Sequence, residues 1–414
     1  MDIESFIAEI IENPDDDDAR LIFADYLEEH GDPRAEMIRL QFEMADLTRW
    51  DPKRPKLRKR ELSLLKEYGG FGMTPIGVRP LGSRGGFLDA VEVTVARFLK
   101  LYEQIFAQAP VREVLLRSKS KKFGELATCE GTSRIRRLTL KGTQATDDQL
   151  VELFASPNVS NLSGLEIRQT GHGDRVADAI AMSPHLGGLR ELRLNGFRGN
   201  AIHFIARSAT LKHLEHLSVG LWTRSEADLT VIADSENFGG LISLVFSGRV
   251  TASGVLRFLN SPQTSRLRTL ALAGDVRGGQ ALETALEKAQ PQQATRELTL
   301  MLDCNDRCIA ELPRVFPGVR TLELGHNRIG EAGALSLAEN PILKQLDRLV
   351  LTGNRIPLAG IQALAESPHR RKGMKLLLRG NRLSRSDVQT LQAAYGKSFG
   401  SLGKLYDYGR WGHW

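Results

Sequence analysis

From residue 88 onward one spacing of apolar positions recurs: an aliphatic residue, two variable residues, a second aliphatic, one variable residue and a third aliphatic. Alternation over so few positions predicts a short strand with one buried face. With the middle aliphatic as marker, the pattern stands at Val91, Val114, Leu138, Leu165, Leu192, Leu217, Leu244, Leu270, Leu298, Leu322, Leu349 and Leu376. Between markers lie stretches whose apolar residues recur every three or four positions, which predicts helices at 148–155, 201–207, 281–288, 332–338 and 358–365. Pro110, Pro157, Pro184, Pro317, Pro341 and Pro368 all stand at one distance from their markers. Proline cannot continue a helix, so this second marker predicts where each helix stops.

Three late copies carry a further signature: Leu322-Glu323-Leu324-Gly325-His326-Asn327-Arg328-Ile329, then 349–356 with Asn354, then 376–383 with Asn381. This resembles the leucine-rich-repeat consensus, in which a short strand runs into an asparagine turn. Units of this length, each with a strand and a full helix, are similar to the ribonuclease-inhibitor-like subclass. The resemblance spans residues 88–395 and implies an α/β solenoid, a horseshoe with parallel strands lining the concave face and helices outside. Each unit can bury its aliphatics only against its neighbours.

Ahead of the array, proline and glycine punctuate three helices over residues 3–12, 16–30 and 33–47. The string Asn13-Pro14-Asp15-Asp16-Asp17-Asp18-Ala19-Arg20-Leu21-Ile22-Phe23-Ala24-Asp25-Tyr26-Leu27-Glu28-Glu29-His30-Gly31-Asp32-Pro33-Arg34-Ala35-Glu36 resembles the bacterial repeat-companion domain. That family precedes leucine-rich repeats and implies an architecture rather than a reaction. The expected organisation is therefore an acidic helical domain over 1–48 and a basic helix with a glycine-rich linker or cap over 49–87. The repeats follow over 88–395, and an aromatic cap or tail over 396–414.

Charge sharpens this division. Residues 1–48 hold 15 acidic and 3 basic side chains, while the whole chain is net +6, so the remainder is strongly basic. Seven basic residues crowd into 49–60. The split suggests either an internal electrostatic contact or two unlike partner surfaces.

Candidate chemistry is sparse. Asp15 to Asp18 neither alternate nor precede the glycine bend of a calcium loop, and suit the positive end of a helix. Seven glycines over 68–86 lack the strand and helix that frame a phosphate loop. Cys304 and Cys308 fall short of a zinc ligand set, as do His213 and His216. No G-x-S-x-G, H-E-x-x-H or Walker motif occurs, so neither an enzyme nor a cofactor is expected. Without a signal-like start or a long apolar run, a cytoplasmic, membrane-free protein is expected.

Strand alternation sends the residues between the aliphatics to the concave face. Early units place Arg117, Arg137, Lys141, Arg168 and Arg193 there, and middle units Ser243, Val245, Ser247, Ala271 and Ala273. The reading that follows is a non-catalytic scaffold or receptor whose basic early arc binds a protein with an acidic surface. The alternatives are an inhibitor or immunity protein of an enzyme or toxin, and nucleic-acid binding through 49–60 with Lys119, Lys121 and Lys122. Tyr406, Tyr408, Trp411 and Trp414 are candidate tail contacts, since aromatic residues dominate binding hot spots.

Overall fold

The computed structural model describes residues 2–47, 51, 53–72, 74–117, 120–168, 171–221, 229–277 and 282–395. Tyr406, Tyr408, Trp411 and Trp414 lie outside the described residues, as do Arg49 and Lys119. The chain divides into two compact units, one of residues 1–197 with 208–213, the other of 198–207 with 214–414.

The first unit opens with α1 (Ile3–Glu12), α2 (Asp17–Glu29), α3 (Arg34–Asp46) and α4 (Arg54–Tyr68). Their starts follow from local chemistry. Asp2 caps α1 by accepting the Ser5 N–H at 2.8 Å, and Asp16 caps α2 by accepting from Asp18 and Ala19. Such a cap is worth about 1 kcal/mol. Of the four-aspartate run, Asp16 thus serves the helix terminus, while Asp15 and Asp17 reach arginines elsewhere.

The glycine-rich stretch contributes structure of its own. Residues Arg79–Arg84 form β1, antiparallel to β2 (Phe87–Thr94). Gly85 (φ 52°) and Gly86 (φ 82°) make the turn between them, where an added Cβ at Gly85 would stand 2.5 Å from Arg20. Phe71 pairs with Phe87 by backbone and ring, the centroids 5.0 Å apart. Both rings enter one core with Ile10, Phe23, Leu27 and Ile38. The helical module and the first hairpin of the array therefore bury a shared apolar cluster.

Parallel strands follow: β3 (Glu113–Arg117), β4 (Arg137–Lys141), β5 (Gly164–Arg168) and β6 (Glu191–Phe197). Val91, Val114, Leu138, Leu165 and Leu192 sit side by side across β2 to β6, so the marker positions share one register. Helix α5 (Val95–Gln108) joins β2 to β3. Two single 3-10 turns replace a helix between β3 and β4.

The second unit repeats the design with β7 (His216–Leu221), β8 (Ser243–Thr251), β9 (Thr269–Arg277), β10 (Glu297–Met301), β11 (Thr321–Glu323), β12 (Arg348–Val350) and β13 (Lys375–Leu377). Leu217, Leu244, Leu270, Leu298, Leu322, Leu349 and Leu376 are aligned across it. Helices at Asp306–Val315, Glu331–Ala338 and Leu358–Glu366 alternate with the later strands. This is the leucine-rich-repeat architecture, an α/β stack preceded by a small all-α region.

Two polar ladders satisfy the turns. Asn354 Oδ1 accepts the Ile329 N–H at 3.1 Å, and its Nδ2 donates to Leu324 O (2.8 Å) and Leu351 O (3.0 Å). Asn327 and Asn381 do the same one unit away on either side. On the helix side, Ser183 donates to Phe154 O, Ser208 to Ala181 O, Ser235 to Ala206 O and Ser261 to Ala233 O, at 2.5–2.7 Å. The prolines expected to stop helices have a more specific place: Pro157, Pro262 and Pro341 open single 3-10 turns, each capped by the preceding Ser or Asn. Proline suits that position because it lacks the N–H that a first turn leaves unused.

Candidate interaction face

Because side chains alternate along a strand, the face of β2 to β6 opposite the buried aliphatics is a grid. Its first row reads Ala90, Glu113, Arg137, Gly164, Glu191; its second Glu92, Leu115, Thr139, Glu166, Arg193; its third Thr94, Arg117, Lys141, Arg168, Asn195. The expected basic residues stand on it as the alternation required, but they do not stand alone. Four carboxylates, Glu92, Glu113, Glu166 and Glu191, occupy the same face.

The two signs are joined. Arg117 Nε lies 2.7 Å from Glu92, which also takes Arg79 of β1. Arg168 meets Glu166 through two parallel contacts of 2.5 and 2.8 Å. Arg137 holds Glu113 at 3.0 Å and reaches across β5 to Glu191, which Arg193 also binds. Gly164 makes that reach available. A Cβ there would come within 3.1 Å of the Arg137 side chain lying over it.

Burial is uneven in this lattice. The Glu92, Glu166 and Glu191 side chains are only 12–13% exposed, whereas Arg117 is 54% exposed and Arg137 41%. Glu92, Glu166 and Glu191 thus lie deeper than the guanidinium groups that pair with them, while Glu113 is as exposed as Arg137. Burial draws the Arg193 pKa down, and Arg168 adds to the effect against the pull of Glu166. Lys141 is exposed at the end of β4. The arc anticipated as basic is thus a nearly balanced ion-pair lattice. The same alternation along each strand brings Glu92, Glu113, Glu166 and Glu191 to this face.

Across β7 to β10 the corresponding positions are Ser218, Val245, Ala271 and Thr299 in one row and Gly220, Ser247, Ala273 and Met301 in the next. This part is small and uncharged, and Ala271 and Ala273 are buried among their neighbours. Further on, Glu323 and Arg348 pair at 3.0 Å.

The acidic module spends part of its charge internally. Asp15 lies 3.0 Å from Arg112 and 2.9 Å from Arg136, at the entry to β3 and β4, and Asp17 binds Arg84. Burial raises the Asp15 pKa, but the Arg112 hydrogen bond and the charges of Arg136 and Arg112 outweigh it, leaving the carboxyl below its ordinary value. These arginines precede the strands and are distinct from the grid. The basic helix is engaged as well: Arg54 donates to Met44 and Leu47 carbonyls, Arg58 pairs with Glu61 and Arg60 with Glu36.

Among the described residues the other candidate residues form no metal-binding group. Cys304 and Cys308 are buried and free. Their mutual hydrogen bond and burial push the Cys304 thiol well up. His213 and His216 are exposed. Among the described residues no group of three or more His, Cys, Asp or Glu could hold a metal ion, and no helix is long and apolar enough to cross a membrane.

No family model matches the chain, and no curated protein matches it in sequence. Among solved structures it is similar to an internalin (InlF) of Listeria monocytogenes at 16% identity, with 71% of this chain and 72% of that one covered and a TM-score of 0.42. It is also similar to a chain of the Rad7 and Elc1 complex in yeast, at 14% identity, 92% and 93% coverage and a TM-score of 0.48. A chain of the mouse RP105/MD-1 complex matches at 17% identity, 73% and 55% coverage and a TM-score of 0.37. The repeat assignment rests on the strand register described above.

Proposed function

We propose that the chain is a non-catalytic protein-binding scaffold whose partner docks on the open face of β2 to β6. The observation that carries this reading is the ion-pair lattice itself. It is a broad polar surface on rigid strands, with guanidinium forks held in place by carboxylates beneath them. Bidentate pairs fix orientation as well as charge. Donors fixed in advance cost less ordering on association. The partner suited to such a surface offers hydrogen-bond acceptors, backbone carbonyls and carboxylates, in a pattern that includes cations opposite Glu113 and acceptors opposite Arg117, Lys141 and Arg168 of the third row. The proposed partner is therefore a protein of mixed charge, with its acidic side chains meeting Arg117, Lys141 and Arg168.

This arrangement disfavours nucleic acid. A polyanion approaching the grid meets four carboxylates within a strand spacing or two of every arginine, and the arginines of the basic helix are already engaged. The inhibitor reading has no observation of its own here. The resemblance of residues 13–36 to the bacterial repeat-companion domain supports a bacterial, cytoplasmic setting.

Crosslinking in native lysate, read by mass spectrometry, tests the face. The parent is compared with Arg168→Glu/Arg193→Glu and with Arg257→Glu, a surface change on the helix Ala252–Leu259. A partner captured by the parent and by Arg257→Glu but lost with the double variant is expected. Identical capture by all three would overturn the assignment.

A further inference from the structure

Away from the sheet, α1 and the C-terminal end of α5 border an open groove of about 470 Å³. Ile7, Ala8 and Ile11 line one side, Phe106 and Ala107 the other. The apolar stripe of α1 is wider than the module's core needs. Phe6 and Ile10 face inward to Phe23, while Ile7 and Ile11 are half-buried and Ile3 is 36% exposed. Glu4 and Glu12 line it as well. Arg134 also lines the groove, its guanidinium 4.9 Å from the Phe106 ring centre. With its cap residue, α1 carries four carboxylates (Asp2, Glu4, Glu9, Glu12) and no basic side chain. An occupant must then supply large apolar side chains on a cationic segment.

One stretch of this chain has that chemistry. Residues 396–414 contain Phe399, Tyr406, Tyr408, Trp411 and Trp414, with Lys397, Lys404 and Arg410 against the single Asp407. We propose that the groove of one copy receives the aromatic C-terminal segment of a second copy. The contact uses two different surfaces, so it is head-to-tail, and such contacts extend into rings or filaments rather than closing as a two-fold dimer. The fit joins aromatic rings to the Ile7, Ile11 and Phe106 floor, and the lysines and arginine to Glu4 and Glu12.

Full-length protein is enough for the test. Ala8 and Ala107 are exposed, so Ala8→Arg/Ala107→Arg fills and recharges the groove without entering the core, and Trp411→Ala/Trp414→Ala removes the ligand. Sedimentation equilibrium is expected to show parent mass rising with concentration to twice the monomer or more by about 100 µM. Each variant alone is expected to stay monomeric with a parent-like thermal melt. Mixed together, the two variants should form a 1:1 pair, since each retains the half the other lacks. A peptide of residues 396–414 should dissociate the parent assembly. A parent that stays monomeric throughout overturns the proposal, and so does a groove variant that still associates or a mixture that does not pair.

Discussion

Phe23 is where the helical module and the repeat array meet, and Phe23→Ala tests whether they fold as one. The side chain is fully buried, with ring centroids at 5.4 Å from Phe6, 6.5 Å from Tyr26, 5.0 Å from Phe71 and 5.8 Å from Phe87. Two of these neighbours belong to the module and two to the hairpin segment that starts the array. Truncating a buried phenylalanine costs about 3–5 kcal/mol. Aromatic pairs add about 0.5–1.5 kcal/mol each beyond area burial, so the upper part of that range is expected here. Against a typical stability of about 5–15 kcal/mol, that is a large share. Urea denaturation gives the magnitude, and hydrogen exchange resolved by segment tells where it falls. If the module is the array's N-terminal cap, amides of β2 and β3 lose protection together with α1 to α3. Parent-like protection in β2 and β3 while the three helices exchange freely would refute a shared core, and would make the module an appended domain.

Other substitutions probe separate parts of the argument. Asn354→Ala leaves the Ile329 N–H and the Leu324 carbonyl without their partner in a buried turn, at about 2–4 kcal/mol. A urea midpoint within error of the parent would show that the ladder contributes little. Gly274→Ala places a Cβ 1.9 Å from Gly248 O at a φ of 150°, so β8 and β9 must separate there, and a lower melting temperature is expected. Asp15 has a depressed pKa, so its stabilising contribution is complete above the ordinary carboxylate range and fades as pH falls through the folded-state value. The stability gap between parent and Asp15→Asn should accordingly narrow between pH 7 and about 3; a gap that widens in acid would contradict the Arg112 and Arg136 contacts.

The fold was legible because its determinants are local and periodic. A leucine every unit fixes the strand, a serine or asparagine before a proline fixes the return turn, and an asparagine after the strand fixes the corner. The segment between β3 and β4 departs from this, with two 3-10 segments, Phe123–Ala127 and Glu130–Arg134, in place of a helix; unit length does not explain it, since the shorter unit before it holds α5. β1 escaped for a local reason. Its residues Arg79-Pro80-Leu81-Gly82-Ser83-Arg84 have neither alternation nor β-branched side chains, and its register is broken at Gly82. Pairing with β2, and Gln41 donating to Ser83 at 2.7 Å, order it from outside.

The face required a step beyond periodicity. Reading each strand separately identifies which side chains emerge, and that was enough to place Arg117, Arg137, Arg168 and Arg193. It does not say what stands beside them, which depends on register between strands some 23 to 27 residues apart. Once Val91, Val114, Leu138, Leu165 and Leu192 are aligned, the neighbours follow without further information. Glu92 falls two strands from Arg137, and Gly164 falls between Arg137 and Glu191. Gly164 is then the gap through which an arginine crosses a strand. In a repeat of this kind, surface charge is a property of rows rather than of strands. A net positive count along the chain therefore coexists with a face whose cations are already paired, and a partner must match the pairs rather than the sum.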